Sequence, residues 1–239
     1  MKVVILQPSY IPWRGFFHQI AMADLFVFYD DVQYDKRGWR NRNRIKTPQG
    51  PRWLTIPVLS KGAQTQHLPI DRIRICWDTA WNLDHWRAIE HAYRRAPHFG
   101  QYAPLLEPLY QGHPDLLVDF TIPLTIELAR LLGIGQTRFL RSSEVSGISG
   151  HKTDRLISLL QAVGGTHYIS GPSARDYIEE GKFRDAGIPL EFMVYDYPEY
   201  PQRYPPYDPQ ISILDLLFMT GPRALSYIIA DQASARSGD

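Results

Sequence analysis

Residues 2–31 read KVVILQPSYIPWRGFFHQIAMADLFVFYDD, a pattern that predicts a strand, a loop, a helix and a second strand. The first strand runs from Val3 to Leu6, and the second runs from Asp24 to Tyr29 and ends at Asp30-Asp31. Both are apolar without alternation, which is typical of strands buried on both faces of a parallel sheet. The sequence therefore predicts a βαβ unit whose ligand lies at the carboxyl ends of the strands.

The same alternation returns in the second half of the chain. A helix is predicted over residues 152–163, and strands are predicted over residues 167–170 and 190–195. The fold class is accordingly α/β, a Rossmann-like and mostly parallel sheet. We expect a single domain over residues 1–239, with an α/β core from about 1–76 and 136–222 and a helical block from about 78–133.

Three other segments have distinct patterns. Two helices are predicted in the helical block, over residues 79–95 and 116–132. Residues 70–76 alternate between apolar and charged side chains, which predicts an edge strand or a return hairpin. Residues 195–209 hold five prolines and five tyrosines, so we expect an extended loop that wraps over the core.

Composition excludes several classes of protein. The 239 residues include 26 basic and 25 acidic side chains, a balance that argues against a dedicated nucleic-acid-binding protein. Cys76 is the single cysteine, so an internal disulfide is excluded and a reducing compartment is indicated. No apolar window approaches the ~20 residues that cross a bilayer, and the amino terminus lacks a signal-peptide core. We expect a cytoplasmic protein with no membrane association.

The loop after the first strand, Gln7 to Gly15, is the first candidate site. It occupies the place of a phosphate-binding loop, but it has no G-x-G-x-x-G pattern, so side chains such as Gln7 and Tyr10 would hold a ligand. His18, in the helix that follows, is within reach of a phosphate there. The alternatives are a rigid aromatic turn and a surface histidine.

The second candidate begins at the end of the second strand. Asp30 and Asp31 are adjacent, so only one of them can point into a cleft, and Gln33 follows. Six positive charges come next, interspersed with Trp39 and two asparagines: Lys36, Arg37, Arg40, Arg42, Arg44 and Lys46. These side chains could bind phosphates or stack against a nucleobase, and the alternative is a charged face that contacts only solvent. If the run is extended, Asn41, Asn43 and Ile45 share one face.

A third candidate lies at the later strand ends. Ser170-Gly171 ends a predicted strand before a helix, which makes a second junction where an anion can bind, and Lys152, at a predicted helix start, would supply a point charge for a phosphate or carboxylate. The alternative is a surface lysine beside an ordinary turn. The eight histidines show no metal-ligand spacing, so no metal site is predicted.

Four segments strongly resemble the WbqC-like family, and the similarity runs nearly end to end. They are residues 7–50, 151–160 (HKTDRLISLL), 166–178 (THYISGPSARDYI) and 200–221 (YPQRYPPYDPQISILDLLFMTG). The resemblance implies a setting in surface-polysaccharide (O-antigen) biosynthesis. It also implies functional positions that coincide largely with the candidates above, together with Ser212 and Asp215.

The leading hypothesis is an enzyme that modifies an amino sugar or nucleotide-linked sugar by acyl or aminoacyl transfer or ligation. Asp30, Asp31 and His18 are the catalytic candidates, and the predicted substrate-binding residues are Gln7, Tyr10, Gln33, Arg42, Asn43, Arg44, Lys152, Ser170 and Gly171. ATP with Mg²⁺ at the two aspartates, or an acyl donor such as acyl-CoA, would be the co-substrate. The alternative is a non-catalytic module that binds a nucleotide or single-stranded nucleic acid through residues 36–46.

Overall fold

The structure is a computed structural model, and it describes residues 1–36, 38–59 and 67–229. Two parallel strands open the chain, as the sequence predicts, and a helix connects them: β1 (Lys2–Leu6), α1 (Arg14–Met22) and β2 (Leu25–Phe28). A hairpin and the helical block follow: β3 (Arg42–Thr47), β4 (Gly50–Thr55), α2 (Trp81–Tyr93), α3 (Phe99–Gln111) and α4 (Leu117–Leu131). The remaining elements are β5 (Arg138–Arg141), α5 (Lys152–Ala162), β6 (His167–Ser170), α6 (Glu180–Asp185), β7 (Leu190–Phe192) and α7 (Ile213–Thr220).

The main sheet has the strand order β5-β2-β1-β6-β7, and every neighbouring pair in it is parallel. In the register of the central strand, Val3 lies opposite Leu25 of β2 and Tyr168 of β6. The predicted Rossmann-like α/β class with a mostly parallel sheet is confirmed. Because the strands run the same way, the loops after β1, β2 and β6 all leave the sheet at one edge.

The central strands are buried on both faces, which explains why they are apolar throughout. Val4 and Phe26 pack into a large core that also contains side chains of the helical block, such as Leu106. Val3 and Leu25 face the opposite way and pack with Leu159 of α5. Burying each such side chain contributes roughly 1.5–3 kcal/mol, so the sheet is stabilised from both sides.

One prediction about local structure is wrong, and another, the two helices of the helical block, is confirmed but incomplete. Residues 70–76 form neither an edge strand nor a hairpin: Ile70–Arg72 is a single 3₁₀ turn, and only isolated bridges at Arg74 and Ile75 follow it. The helical block holds a third helix, α3, which contains Pro104 and Pro108.

Residues 195–209, called here the tyrosine-rich segment, have no helix or strand and pack against α1, as the sequence predicts. Arg14 donates to the Pro198 carbonyl oxygen at 2.8 Å and to the Tyr207 hydroxyl at 2.9 Å. Gln19 donates to the Tyr195 hydroxyl at 2.6 Å. In the part of the chain that is described, no helix has the length and apolar character needed to span a bilayer.

Candidate functional site

A cavity of about 1240 Å³ opens at the carboxyl edge of the parallel sheet. The loop after β1 contributes Gln7, Ser9, Pro12 and Trp13 to its wall, and the loop after β6 contributes Ser170, Gly171, Pro172 and Ser173. Further polar residues come from the start of α5, from α1 and from the segment that leads into β3. This is the place where open α/β sheets bind their ligands.

Positively charged side chains converge on this cavity from two directions. Lys152 and Arg155 lie on the first turn of α5, beside His151, and Arg40 lies in the segment that leads into β3. The free backbone N–H groups at the start of α5 add a partial positive charge. An anion such as a phosphate would therefore be held by main chain and side chains together.

Arg40 and Arg155 are both fixed by contacts with other protein groups. Arg40 donates to the carbonyl oxygens of Gln7 at 3.0 Å and Pro8 at 3.3 Å. Burial lowers the pKa of Arg40 to about 10, so its guanidinium still carries its charge at neutral pH. Arg155 forms an ion pair with Asp31. These contacts preorganise two guanidinium groups before any ligand arrives.

Backbone strain marks the loop after β1 and the start of α5, both of which border the cavity. Lys152 has a φ of 50° and Ile11 a φ of 36°, values in the left-handed region that L-residues other than glycine rarely adopt. Asn43 holds Ile11 in this conformation, because its side-chain amide donates to the carbonyl oxygens of Tyr10 at 3.2 Å and Ile11 at 2.8 Å. Strain that the surrounding structure maintains in this way is characteristic of functional sites.

One buried side chain on the cavity wall has an unused acceptor. Gln19 is only 4% exposed and lines the cavity. Its side-chain N–H donates to Tyr195, but its Oε1 has no hydrogen-bond partner among the described residues. A buried polar atom without a partner costs roughly 1–3 kcal/mol, so a ligand hydroxyl or N–H donating to Oε1 would be favoured.

The structure brings six of the predicted site residues to the cavity wall: Gln7, Gln33, Asn43, Lys152, Ser170 and Gly171. The other six do not line it, and they are Tyr10, His18, Asp30, Asp31, Arg42 and Arg44. Each of these six contacts neighbouring protein groups instead.

The two aspartates hold arginine and serine side chains. Asp30 is fully buried, accepts from Arg141 Nε at 2.6 Å, and also accepts from the N–H of Ser143 at 3.0 Å. Asp31 accepts from the Ser142 hydroxyl at 2.5 Å and pairs with Arg155. Because these oxygens are already bonded, the pair does not fit the predicted Mg²⁺ site, and neither carboxylate faces a cleft as a base. Asp31 acts by positioning Arg155.

Tyr10 and His18 form hydrogen bonds with other side chains of the protein and do not line the cavity. The Tyr10 hydroxyl hydrogen-bonds with His85 Nδ1 and with the Tyr110 hydroxyl, both at 2.9 Å, in the interior of the protein. His18 Nδ1 lies 2.9 Å from the Tyr197 hydroxyl, and burial lowers the pKa of this histidine. Both residues join the first loop and helix to other parts of the fold.

The basic run divides among the cavity, the surface and the interior, where Lys46 is buried and donates to Gln202 Oε1 at 2.8 Å. Asn41, Asn43 and Ile45 are all buried on one side of the run, as the sequence predicts, but Asn41 donates to the Ile56 carbonyl oxygen at 2.8 Å and so holds the residue after β4 rather than a ligand. Arg42 and Arg44 lie over the Trp53 ring, 4.9 and 5.6 Å from its centroid. Arg37 lies outside the described residues.

Three residues of the site were missed as individual candidates: Arg155, Gln19 and His151. Arg155 follows Lys152 by three positions, so both lie on one face of a helix, and this spacing is the signal that could have found it. Among the residues that the structure describes, no group of three or more histidine, cysteine, aspartate or glutamate side chains could hold a metal ion.

The parallel sheet defines an α/β protein, and a cation-lined cavity lies at the carboxyl edge of that sheet. The sequence profile of the WbqC-like protein family matches residues 7–227, and the chain belongs to that family. A relative from Mycobacterium tuberculosis (strain ATCC 25618 / H37Rv), named "Uncharacterized protein Rv1507c", is 44% identical over 230 residues, which cover 95% of this chain and 97% of the relative. No solved structure matches the chain.

Proposed function

We propose that the cavity binds a nucleotide-linked amino sugar and that the protein transfers an acyl or aminoacyl group to its amine during surface-polysaccharide biosynthesis. The observation that carries this proposal is the convergence of Lys152, Arg155, Arg40 and the start of α5 on one cavity. A diphosphate linking a nucleoside to a sugar presents the anionic oxygens that such a group of donors binds.

The rest of the wall suits a sugar and a second substrate. The side chains of Gln7, Gln33 and Ser170 supply donors and acceptors for hydroxyl groups, and Gln19 supplies its unused acceptor. The cavity, at about 1240 Å³, is larger than the roughly 300–1,000 Å³ typical of a site for one small ligand. The excess volume supports binding of an acyl donor beside the sugar.

In the proposed reaction, the amine nitrogen of the sugar attacks the acyl carbonyl carbon, an amide bond forms, and the bond to the donor's leaving group breaks. The amine must lose a proton during this step. His151 lines the cavity and supplies an imidazole for that proton, a role for which Asp30 and Asp31 are not placed. The donor is an acyl-CoA, whose thiol departs, or an acyl group activated with ATP.

A thermal-shift screen tests the proposal, because a ligand that binds only the folded state raises the melting temperature. Candidate ligands are nucleotide-linked amino sugars, ATP with Mg²⁺, acyl-CoA species and a short RNA. We expect a nucleotide sugar to stabilise the wild-type protein but not Lys152→Ala. Lys2→Ala is the matched control, because Lys2 is exposed at the amino end of β1 and does not line the cavity.

Product formation is then followed by mass spectrometry of the sugar. We expect His151→Gln to bind the sugar nucleotide normally but to form amide product more slowly, by roughly 10²–10⁴-fold. A salt-sensitive shift with RNA alone would contradict the proposal and favour the binding module on residues 36–46.

A further inference from the structure

Two exposed tryptophans form a flat surface beside the cavity. Trp39 is 42% exposed and Trp53 is 46% exposed, and their rings stack with centroids 5.4 Å apart and planes 27° apart. Trp39 lines the cavity, whereas Trp53 lies behind it on β4. Large aromatic side chains bury 150–250 Å² when packed, so leaving two of them exposed sacrifices hydrophobic stabilisation.

Trp39 is held in place even though its ring is exposed. Its carbonyl oxygen accepts from the Tyr10 N–H at 3.2 Å, which ties it to the loop after β1. The next residue, Arg40, donates to the Gln7 and Pro8 carbonyl oxygens of the same loop. The ring therefore occupies a fixed position relative to the cavity, as a preorganised binding surface requires.

A positive charge beside the pair favours an anionic ligand with a planar ring, because Arg40 lines the cavity next to Trp39. The guanidinium groups of Arg42 and Arg44 lie over the Trp53 ring and do not line the cavity. The phosphate-binding groups proposed above, at the start of α5, line the same cavity. A nucleotide could therefore place its phosphates against α5 and its base against an indole.

We propose that Trp39, backed by Trp53, is the stacking surface for the base of the nucleotide that the cavity binds, an inference that rests on the proposed function. Every nucleobase has a flat π-face, so stacking alone gives affinity without strong preference among bases. The sugar end of the ligand would then point toward Ser170 and Gln19.

Calorimetric titration of the full chain with three probes tests this subsite: uridine diphosphate, adenosine diphosphate and inorganic pyrophosphate. We expect Trp39→Ala to weaken both nucleotides by roughly 5- to 150-fold and to leave pyrophosphate binding unchanged. Trp39→Phe should recover most of the nucleotide affinity because it retains an aromatic face. Leu83→Ala, which removes an exposed apolar side chain from α2, is the control and should change nothing.

The outcomes separate this inference from the proposed function. If pyrophosphate binds the wild type and the nucleotides bind no more tightly, the inference of a base-stacking subsite is wrong, while the proposed phosphate site is supported. If Trp39→Ala weakens all three probes equally, the residue supports the loop and does not stack a base. If no probe binds the wild type, both proposals fail.

A further titration with a hexauridylate distinguishes a nucleotide from a single-stranded nucleic acid. If the hexauridylate binds far more tightly than uridine diphosphate, and its affinity falls steeply with salt, the surface binds a nucleic acid and the inference is overturned.

Discussion

Lys152 combines strain and charge in one residue at the start of α5. Its φ of 50° places Cβ close to the following carbonyl oxygen, a conformation that costs an L-residue roughly 1–2 kcal/mol. Glycine adopts this conformation without that cost. The proposed contact between its ammonium group and a phosphate in the cavity would account for a lysine at this position.

Replacement of Lys152 by glycine and by alanine separates these two properties. Lys152→Gly should raise the free energy of unfolding by up to about 1 kcal/mol, because it relieves the strain, whereas Lys152→Ala should not. Both should weaken the sugar nucleotide equally, because both remove the charge. Urea denaturation and calorimetry measure the two effects, and equal stability of the two variants would show that the backbone is not strained.

Asp215 is a fully buried acid on α7, and burial raises its pKa to about 6. The folded state therefore binds this proton more tightly than the unfolded state does. The resulting stability is fully present below about pH 4 and is lost as pH rises through about 6, by roughly 3 kcal/mol.

Asp215→Asn should remove this dependence. As pH rises from 4 to 7, the free energy of unfolding of the wild type should fall by roughly 3 kcal/mol relative to that of the variant. Urea denaturation at each pH measures this change. A constant difference across that range would mean that Asp215 titrates as in the unfolded chain.

At the scale of single residues, the sequence predicts side chains that sit at strand ends. Gln7, Ser170 and Gly171 reach the cavity because the strand-end rule fixes their place, and Lys152 reaches it from the predicted helix start. The roles of Asp30 and Asp31 were not predictable, since their partners Arg141 and Arg155 lie 111 and 124 residues away in the sequence. Only the fold determines which carboxylate meets which guanidinium.

At the scale of elements, the loop after β1 depends on supports from the hairpin and the helical block. Asn43 of β3 bonds the carbonyl oxygens of Tyr10 and Ile11, and His85 of α2 bonds the Tyr10 hydroxyl. The loop's shape is therefore set by distant elements rather than by its own sequence.

Asn43→Ala should loosen this loop. Losing the amide leaves two buried carbonyl oxygens unpaired, so the free energy of unfolding should fall by roughly 1–3 kcal/mol and the Tyr10 amide should exchange hydrogen faster. Asn41→Ala is the control, because its amide bonds Ile56 instead. The Asn41→Ala variant should lose a comparable free energy of unfolding, but its Tyr10 amide should still exchange hydrogen slowly and its ligand affinity should be normal. Equal loop exchange in both variants would show that Asn43 does not hold the loop.

The prediction of helices and strands from the sequence failed where local residue preferences conflict with tertiary packing. Pro104 and Pro108 disfavour a helix interior, yet α3 forms because Leu106 and Tyr110 on it are buried in the core. Residues 70–76 have alternating side chains suited to a strand, but they contact the rest of the fold through a turn and isolated bridges. Burial overrides propensity in both cases.

At the scale of the whole molecule, buried neutral histidines make folding sensitive to acid. Burial lowers the pKa of His85 to about 4 and lowers that of His18. The unfolded chain, with histidine pKa values near 6.5, takes up protons first as pH falls. Stability is therefore present above about pH 6.5 and is lost toward the lower folded-state pKa values.

His85→Gln should flatten this acid dependence. In the wild type, His85 alone should cost roughly 3 kcal/mol of stability between pH 6.5 and 4, and the variant should lack that loss. The control is His91→Gln, on an exposed face of the same helix, which should leave the profile unchanged. Parallel profiles for wild type and His85→Gln would contradict the assignment.

The sequence predicts the class of fold well because buried parallel strands have an unmistakable apolar pattern. It does not predict how the helical block and the tyrosine-rich segment pack around the sheet. Those contacts join residues far apart in the chain, such as Tyr10 with Tyr110 and Arg14 with Tyr207. The cavity is a product of that packing, so its wall could be predicted only in part.

The central claim is that the ligand binds in the cavity beside α5 and not on the basic surface of β3. Calorimetric titration of the sugar nucleotide identified by screening, into wild type, Arg155→Ala and Arg44→Ala, tests it most directly. We predict that Arg155→Ala loses roughly 10- to 100-fold in affinity, as expected for a lost charge-assisted hydrogen bond, while Arg44→Ala binds as the wild type does. The reverse pattern, with Arg44→Ala weakened and Arg155→Ala unaffected, would contradict the account.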